Sequence, residues 1–180
     1  MPNLKDIKSR ISSVQNTKKI TKAMKMVAAA KVKKAENTVK AARPFSDELL
    51  HLFRKMLATV GEYSVAGLHV QRALDNYPEL LEKRDIKTEG LLVITSNKGL
   101  AGAYNSNIIK TAIARIRANK ERGVNTVIYP VGQKAVSAFK HAGKYFELKE
   151  GYISIANDPT ATGANIIAED IAEDFVSGHI

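Results

Sequence analysis

The sequence contains no cysteine and no tryptophan. The first absence removes disulfides, thiol catalysis and cysteine-rich metal sites, and leaves the compartment open. No run of eighteen apolar residues occurs, so no membrane-spanning helix is expected. The chain does not open with a charged n-region followed by an apolar h-region, so no secretory signal is expected either. Aromatic side chains are missing from the first forty-four residues, and acids are scarce there too. Residues 1–60 hold fourteen lysines and arginines against Asp6, Glu36, Asp47 and Glu48, an excess that equals the whole formal net charge of +10. A segment charged in this way repels itself and favours an anionic neighbour: an acidic protein surface, nucleic acid or anionic lipid. The lack of aromatics speaks against nucleic acid, because phosphate tracking usually comes with stacking rings.

What is present in those sixty residues is a helical pattern. Leu4, Ile7, Ile11 and Val14 alternate spacings of three and four, the seam of a coiled coil. The pattern falters through residues 16–22, where Lys18 and Thr21 would fall on the seam, as in a local register change. It resumes with Met24, Val27 or Ala28, Val32, Ala35, Val39 and Ala42, and then Leu49, Phe53, Leu57 and Val60. Ala28, Ala29 and Ala30 favour helix and allow a close neighbour. A helix over 1–60 would be on the order of 85 Å long, far beyond a small domain. Its partner is therefore expected to lie outside these residues. Pro44 is expected to kink or divide the helix, and Gly61 to end it.

Residues 61–89 read as an irregular connector. Val65, Leu68, Val70 and Leu74 make a short helical piece, Asn76-Tyr77-Pro78 interrupts it, and Glu79 to Arg84 add a further turn. From residue 90 the grammar changes. Gly90 to Thr95 is a short apolar run bounded by turn signals, which reads as a buried strand. The glycine-containing loop Ser96–Gly102 leads to Ile108, Ile109, Ala112, Ile113 and Ile116 at helical spacing, with Asn105 or Ser106 as N-cap and Gly123 as terminator. Thr126–Val131 is a second strand. Gly132 starts a short helix carrying Ala135, Val136 and Phe139, ended by Gly143. Tyr145–Leu148 is a third strand, and Asn157-Asp158-Pro159 is a turn. Thr162 caps a last helix with Ile166, Ile167, Ile171, Phe175 and Val176 on one face.

Strand–helix alternation with short connections predicts an α/β fold: a partial Rossmann-like parallel sheet with flanking helices over 90–180, behind the long N-terminal coiled-coil helix of 1–60. A helix on the face of such a sheet is normally followed by another strand. The sequence stops at Ile180, where that strand is expected, and so reads as incomplete, with an open sheet edge.

Catalytic signals are few. Gly99-Leu100-Ala101-Gly102 stands where α/β folds bind phosphate at a helix N-terminus. It fits neither the dinucleotide nor the Walker spacing, and a tight turn is the simpler reading. His51, His69, His141 and His179 are scattered, with no metal-ligand spacing. Glu169, Asp170, Glu173 and Asp174 look like the solvated face of the last helix. Ser137 and Ser154 have no nucleophile motif around them. No catalytic, cofactor or metal site is expected.

Two stretches resemble a known family. Leu4 to Ile11, followed by Val14-Gln15-Asn16-Thr17-Lys18-Lys19-Ile20-Thr21-Lys22-Ala23-Met24-Lys25-Met26-Val27-Ala28-Ala29-Ala30-Lys31, looks like the N-terminal signature of the gamma subunit of F-type ATP synthase. Thr95 to Asn105 resembles the strand–turn–helix of the same subunit, where the family usually shows Asp-Arg-Gly-Leu-Cys-Gly. Asn97, Lys98 and Ala101 depart from that pattern. The resemblance implies a non-enzymatic central-stalk rotor. Its shaft turns inside a ring of alpha and beta subunits, and its α/β foot sits with the epsilon subunit on the membrane c-ring. Proton or sodium flow would be coupled by rotation to ATP synthesis or hydrolysis at the catalytic beta subunits. It further implies a peripheral position on the cytoplasmic face of the bacterial inner membrane, with neither nucleic acid nor a small molecule as direct partner. Lys19, Lys22, Met24, Lys25 and Lys31 match the stretch that passes the acidic loops of the beta subunits. Leu4, Ile7, Ile11 and Val14 match the coiled-coil seam, whose second helix in the family comes from the C-terminal part absent here. The isolated chain is expected to be poorly soluble or to self-associate. The alternative is a basic helical protein that binds nucleic acid or a membrane surface, with binding that falls steeply with salt.

Overall fold

A computed structural model describes residues 3–65, 80, 84–140 and 145–180, and within the first helix the side chains of residues 3–55. The chain divides into two compact units, Met1–Asp75 and Asn76–Ile180.

In the first unit the three-and-four spacing produces one helix, α1 (Leu4–Val65), of 62 residues. It runs unbroken through Pro44 and past Gly61, so neither residue divides or ends it as expected. Proline removes one N–H from the ladder, and glycine weakens helix by roughly 1 kcal/mol. The many remaining turns outweigh both. Every described side chain from Asn3 to Lys55 is exposed. The remaining connector readings at 66–79 and 81–83 lie outside the described residues.

In the second unit, strand β1 (Thr88–Ile94), helix α2 (Tyr104–Glu121), strand β2 (Asn125–Val131), helix α3 (Gln133–Phe139), strand β3 (Glu147–Leu148) and helix α4 (Ala161–Val176) follow in order. The three strands form one parallel sheet in the order β1-β2-β3. Leu91 stands opposite Ile128 and Val93 opposite Pro130. An isolated parallel bridge joins Val131 to Tyr152. The central strand β2 is buried from Thr126 to Val131, which explains its unbroken apolar run. Pro130 sits in this strand without breaking its pairing. Its carbonyl accepts from Tyr152 N at 3.0 Å, so its missing N–H belongs to the β3 side, where the strand has already ended.

Val93, Ala112, Ile116, Ile128, Ala135 and Phe139 form the core between the sheet and helices α2 and α3. Tyr129 faces the other way, towards α4, where its hydroxyl meets Asp174. At the β1 edge the expected opening is present among the described residues: β1 is paired on one side, and Leu92 and Ile94 are exposed.

Helix ends follow the glycines. Gly123 (φ 71) donates to Lys120 O and Val124 N to Asn119 O, and Gly178 (φ 76) and His179 repeat the same double bond at the end of α4. Both are Schellman ends. The N-terminal expectations fare less well. Residue Ala103 precedes α2 with no side-chain cap, because Asn105 Oδ1 is turned back to Ser96 N (3.0 Å) and Ser106 Oγ donates to Ala103 O. Helix α4 is capped by Thr160, whose Oγ1 accepts from Gly163 N at 3.1 Å, rather than by Thr162. Helix α3 ends at Phe139, and Gly143 lies outside the described residues. The third strand is shorter than expected, two residues only. Ile166 and Val176 are about half exposed, while Gly163 and Ile167 are buried, so the apolar residues of α4 do not share one face.

Candidate functional site

The strongest candidate for function is the upper part of α1. At about 100° per residue, Leu4, Ile7, Ile11 and Val14 fall within an arc of roughly 80°. They form an apolar stripe with exposures from 45% (Ile7) to 81% (Leu4). The stripe ends where the charge begins. Lys19, Lys22, Lys25 and Lys31 lie at azimuths of roughly 100°, 40°, 340° and 220° on the same reference, so the first three share one side with the stripe and Lys31 stands on the other. Lys19 and Lys31 are twelve residues apart, or about 18 Å along the axis. Met24 sits in this collar, about half exposed.

No acid occurs between Asp6 and Glu36. Helical ion pairs need a partner three or four residues away, and Lys18, Lys19, Lys22, Lys25 and Lys31 have none in reach. Among the described residues none of these five ammonium groups forms an ion pair. The threonines at the break in the seam are satisfied internally: Thr17 Oγ1 donates to Ser13 O (2.9 Å) and Thr21 Oγ1 to Thr17 O (3.0 Å). Their hydroxyls need no outside partner. The collar therefore offers positive charge and methyl groups, with few directional demands.

The start of α3, after the second strand, is closed by the protein itself, whereas the loop Gly99-Leu100-Ala101-Gly102 leads instead to α2. The first N–H groups of α3 meet the end of β1: Gln133 N donates to Asn97 Oδ1 (2.7 Å), Lys134 N to Ser96 O (3.2 Å) and Ala135 N to Thr95 Oγ1 (2.8 Å). Gly132 makes this possible, since a Cβ there would stand 2.3 Å from Thr95 O. Asn97 also donates from Nδ2 to Ile153 O at 2.7 Å. Sequence reasoning read Ser96–Gly102 as a glycine-containing loop and missed the double role of Asn97. The available signal was an Asn at a strand end with a capless short helix downstream.

The acids of α4 are not simply solvated. Tyr129 Oη donates to Asp174 Oδ2 and Tyr152 Oη to Asp170 Oδ2, each at 2.5 Å, and Lys149 Nζ pairs with Asp174 at 2.8 Å. Burial acts to raise the Asp174 carboxyl, but hydrogen bonds from Lys149 and Tyr129 outweigh it and hold the group below the usual carboxylate range. Burial, then the Asp174 hydrogen bond, pushes the Tyr129 phenol well up. Arg115 forks onto Glu89 and holds that carboxyl down as well. These pairs fasten helices to the sheet. Ser137 accepts from Gln133 Nε2, and His179 pairs with Glu147. His51 is exposed on α1, and His69 and His141 lie outside the described residues. Among the described residues no three His, Asp or Glu side chains gather as a metal-binding group, and no helix is long and apolar enough to cross a membrane.

A family model described as ATP synthase matches residues 3–180. The ATP synthase gamma chain of Crocosphaera subtropica is 40% identical over 179 residues, covering 98% of this chain and 52% of that protein. Those of Gloeobacter violaceus (38%, covering 99% and 53%) and Synechococcus elongatus (39%, covering 100% and 53%) are similarly alike. The chain spans about half the length of the curated relatives it matches. With the match reaching from the basic collar through α4, the chain belongs to the ATP synthase family that this model describes, beside relatives that are gamma chains.

Proposed function

We propose that this chain supplies the rotor shaft and part of the foot of an F-type ATP synthase central stalk. It catalyses nothing itself and passes torque between an ion-driven membrane ring and the catalytic beta subunits. The observation that carries this reading is the collar: five lysines with no acid in helical reach, on an exposed helix. A rotor meets each subunit of its ring in turn, so one charged side of its shaft is carried past every beta subunit in each rotation. Lys19, Lys22, Met24, Lys25 and Lys31 are the residues that pass the acidic loops of the beta subunits. Electrostatic contacts of this kind favour particular relative positions without locking them. Leu4, Ile7, Ile11 and Val14 bury against a second helix of the shaft. The alpha and beta ring, the epsilon subunit and the membrane c-ring are the partners, and the complex is peripheral to the cytoplasmic face of the bacterial inner membrane. Neither nucleic acid nor a small-molecule substrate is engaged.

The test is a charge reversal in the assembled complex. K19E/K22E/K25E is expected to lower the number of ions moved per ATP hydrolysed. A compensating acid-to-lysine change on the facing beta loop is expected to restore it. Unchanged coupling in the triple variant overturns the assignment of these residues.

A further inference from the structure

At the end of the sheet where β1 and β2 begin, the second unit carries an open cavity of about 750 Å³. Thr88 opens β1 and Asn125 opens β2 there, Lys120 arrives from the last turn of α2, and Tyr145 and Phe146 form a wall just before β3. The turn from α2 into β2 leaves the space free, since nothing stands within 4 Å of a Cβ built on Gly123.

The positive charge in this cavity is not neutralised. Lys120 forms no ion pair among the described residues. Its ammonium lies over the Tyr145 ring, 4.3 Å from the centroid, and a ring face attracts a cation without cancelling its charge. Residues 90–120 carry five lysines and arginines and no acid. Glu147 is the one carboxylate on the wall among the described residues, and it is already paired with His179 (3.0 Å) and Lys149 (3.5 Å). The C-termini of α2 and α4 come to this end, and open carbonyls there would repel an anion. They are closed, because the Schellman bonds at Gly123 and Gly178 take up the last carbonyls of both helices.

What remains is a set of donors. Among the described residues, the side-chain amide of Asn125 and the hydroxyls of Thr88 and Tyr145 have no hydrogen-bond partner within the chain. An amide and a hydroxyl both donate and accept, whereas an ammonium only donates, so Lys120 sets the sign of the ligand. A compact anion with several acceptor oxygens suits one ammonium ringed by neutral donors. The cavity is several times larger than a bare oxyanion, and its aromatic wall offers an apolar side to whatever carries that anion. We propose that the cavity holds the phosphate group of a phosphate ester: Lys120 supplies the charge, Asn125, Thr88 and Tyr145 supply hydrogen bonds, and Phe146 borders the organic part. The ligand is bound and not turned over. The site lies in the second unit and does not rest on the shaft reading.

The test follows lysine reactivity residue by residue. The chain is treated with an amine-acetylating reagent, and modification of each lysine is read by peptide mass spectrometry, with Lys19 and Lys25 as internal controls for general screening. Glycerol 3-phosphate at about 10 mM is expected to slow acetylation of Lys120 about fivefold or more, against less than about twofold at Lys19 and Lys25, all at matched ionic strength. T88V/N125A is expected to lose most of that protection while keeping its urea midpoint, since both side chains stand at the mouth of the cavity rather than in the core. Selective protection of Lys120 by phosphatidylglycerol vesicles, and not by glycerol 3-phosphate, supports the site and assigns the phosphate to a lipid headgroup; the reverse assigns it to a soluble ester. Equal slowing at all three lysines with either probe is screening alone and overturns the site. So does full protection in T88V/N125A. None of these outcomes involves the coupling of K19E/K22E/K25E, so the site and the shaft reading fail separately.

Discussion

Asn97 offers a sharp test of how the second unit is closed. Its Oδ1 accepts from Gln133 N and its Nδ2 donates to Ile153 O, both at 2.7 Å. Asn97→Asp keeps the acceptor and improves it, because a carboxylate at the start of α3 gains about 0.3–1 kcal/mol from the helix dipole. The donor, however, is lost. An anionic oxygen then faces the carbonyl of Ile153, forfeiting a hydrogen bond worth about 1 kcal/mol and adding repulsion of similar size. The net loss is about 1–2 kcal/mol. Asn97→Ala loses both bonds and leaves two backbone groups without partners, a loss of about 2–3 kcal/mol. The Asp variant has a second signature. Its carboxyl, once protonated, regains a donor, so its deficit relative to wild type should shrink as the pH falls through the carboxyl's pKa, whereas the Ala deficit should not. The assay is urea unfolding followed by near-ultraviolet dichroism. The signal comes from tyrosines and phenylalanines, since tryptophan is absent, and avoids the far-ultraviolet signal of α1. Equal or greater stability of N97D at pH 7 refutes the two-way role. A pH-independent deficit refutes the lost-donor explanation.

Gly132→Ala places a Cβ 2.3 Å from Thr95 O at a φ of 90, so it should destabilise the second unit by about 3 kcal/mol or more and lower its urea midpoint accordingly. Asp174 titrates below its usual range in the fold, so the stability it contributes is present above the unfolded carboxyl pKa and lost as the pH falls through the lower folded value; D174N should flatten that acid limb in an acid-unfolding titration. Tyr129 shifts the other way, so its contribution is complete below about pH 10 and lost as the pH rises further; Y129F should remove that alkaline loss. I7A/I11A should leave the urea midpoint of the isolated chain unchanged but weaken assembly by about 2 kcal/mol per residue, measured as dissociation of the complex.

The helix and the α/β alternation were legible because both are carried by periodicity, and periodicity reports which side of an element meets apolar matter. Boundaries were less legible where one residue type has two uses. Asn105 and Thr162 are good N-caps by composition, yet Asn105 is taken by Ser96, and Thr160 reaches Gly163 first. Pro44 and Gly61 are helix breakers on average, but a 62-residue helix tolerates both. The acids at 170 and 174 read as a solvated face because their partners, Tyr152, Tyr129 and Lys149, lie far away in sequence and arrive only through the sheet. Thr88, Lys120 and Tyr145 could not have been grouped at all, since only the folded sheet brings them to one cavity.

These particulars bear on why the two units differ in chemistry. In the second unit several charged and polar groups are consumed: Thr95, Ser96 and Asn97 occupy the first N–H groups of α3, and Lys149, Tyr129 and Tyr152 occupy the carboxylates of Asp170 and Asp174 on α4. In α1 the reverse holds, because five lysines lack any acid within helical reach while the apolar seam remains exposed. A folded chain with marginal stability does not keep nine basic residues and no acid between positions 7 and 35 for its own benefit, since their mutual repulsion only opposes it. In the reading proposed here, the compensation comes from outside these residues. If that compensation is electrostatic, high salt should weaken assembly through α1 while leaving the second unit's urea midpoint nearly unchanged. Salt-insensitive assembly would mean that the seam alone holds the shaft and that the lysine collar is merely solvated.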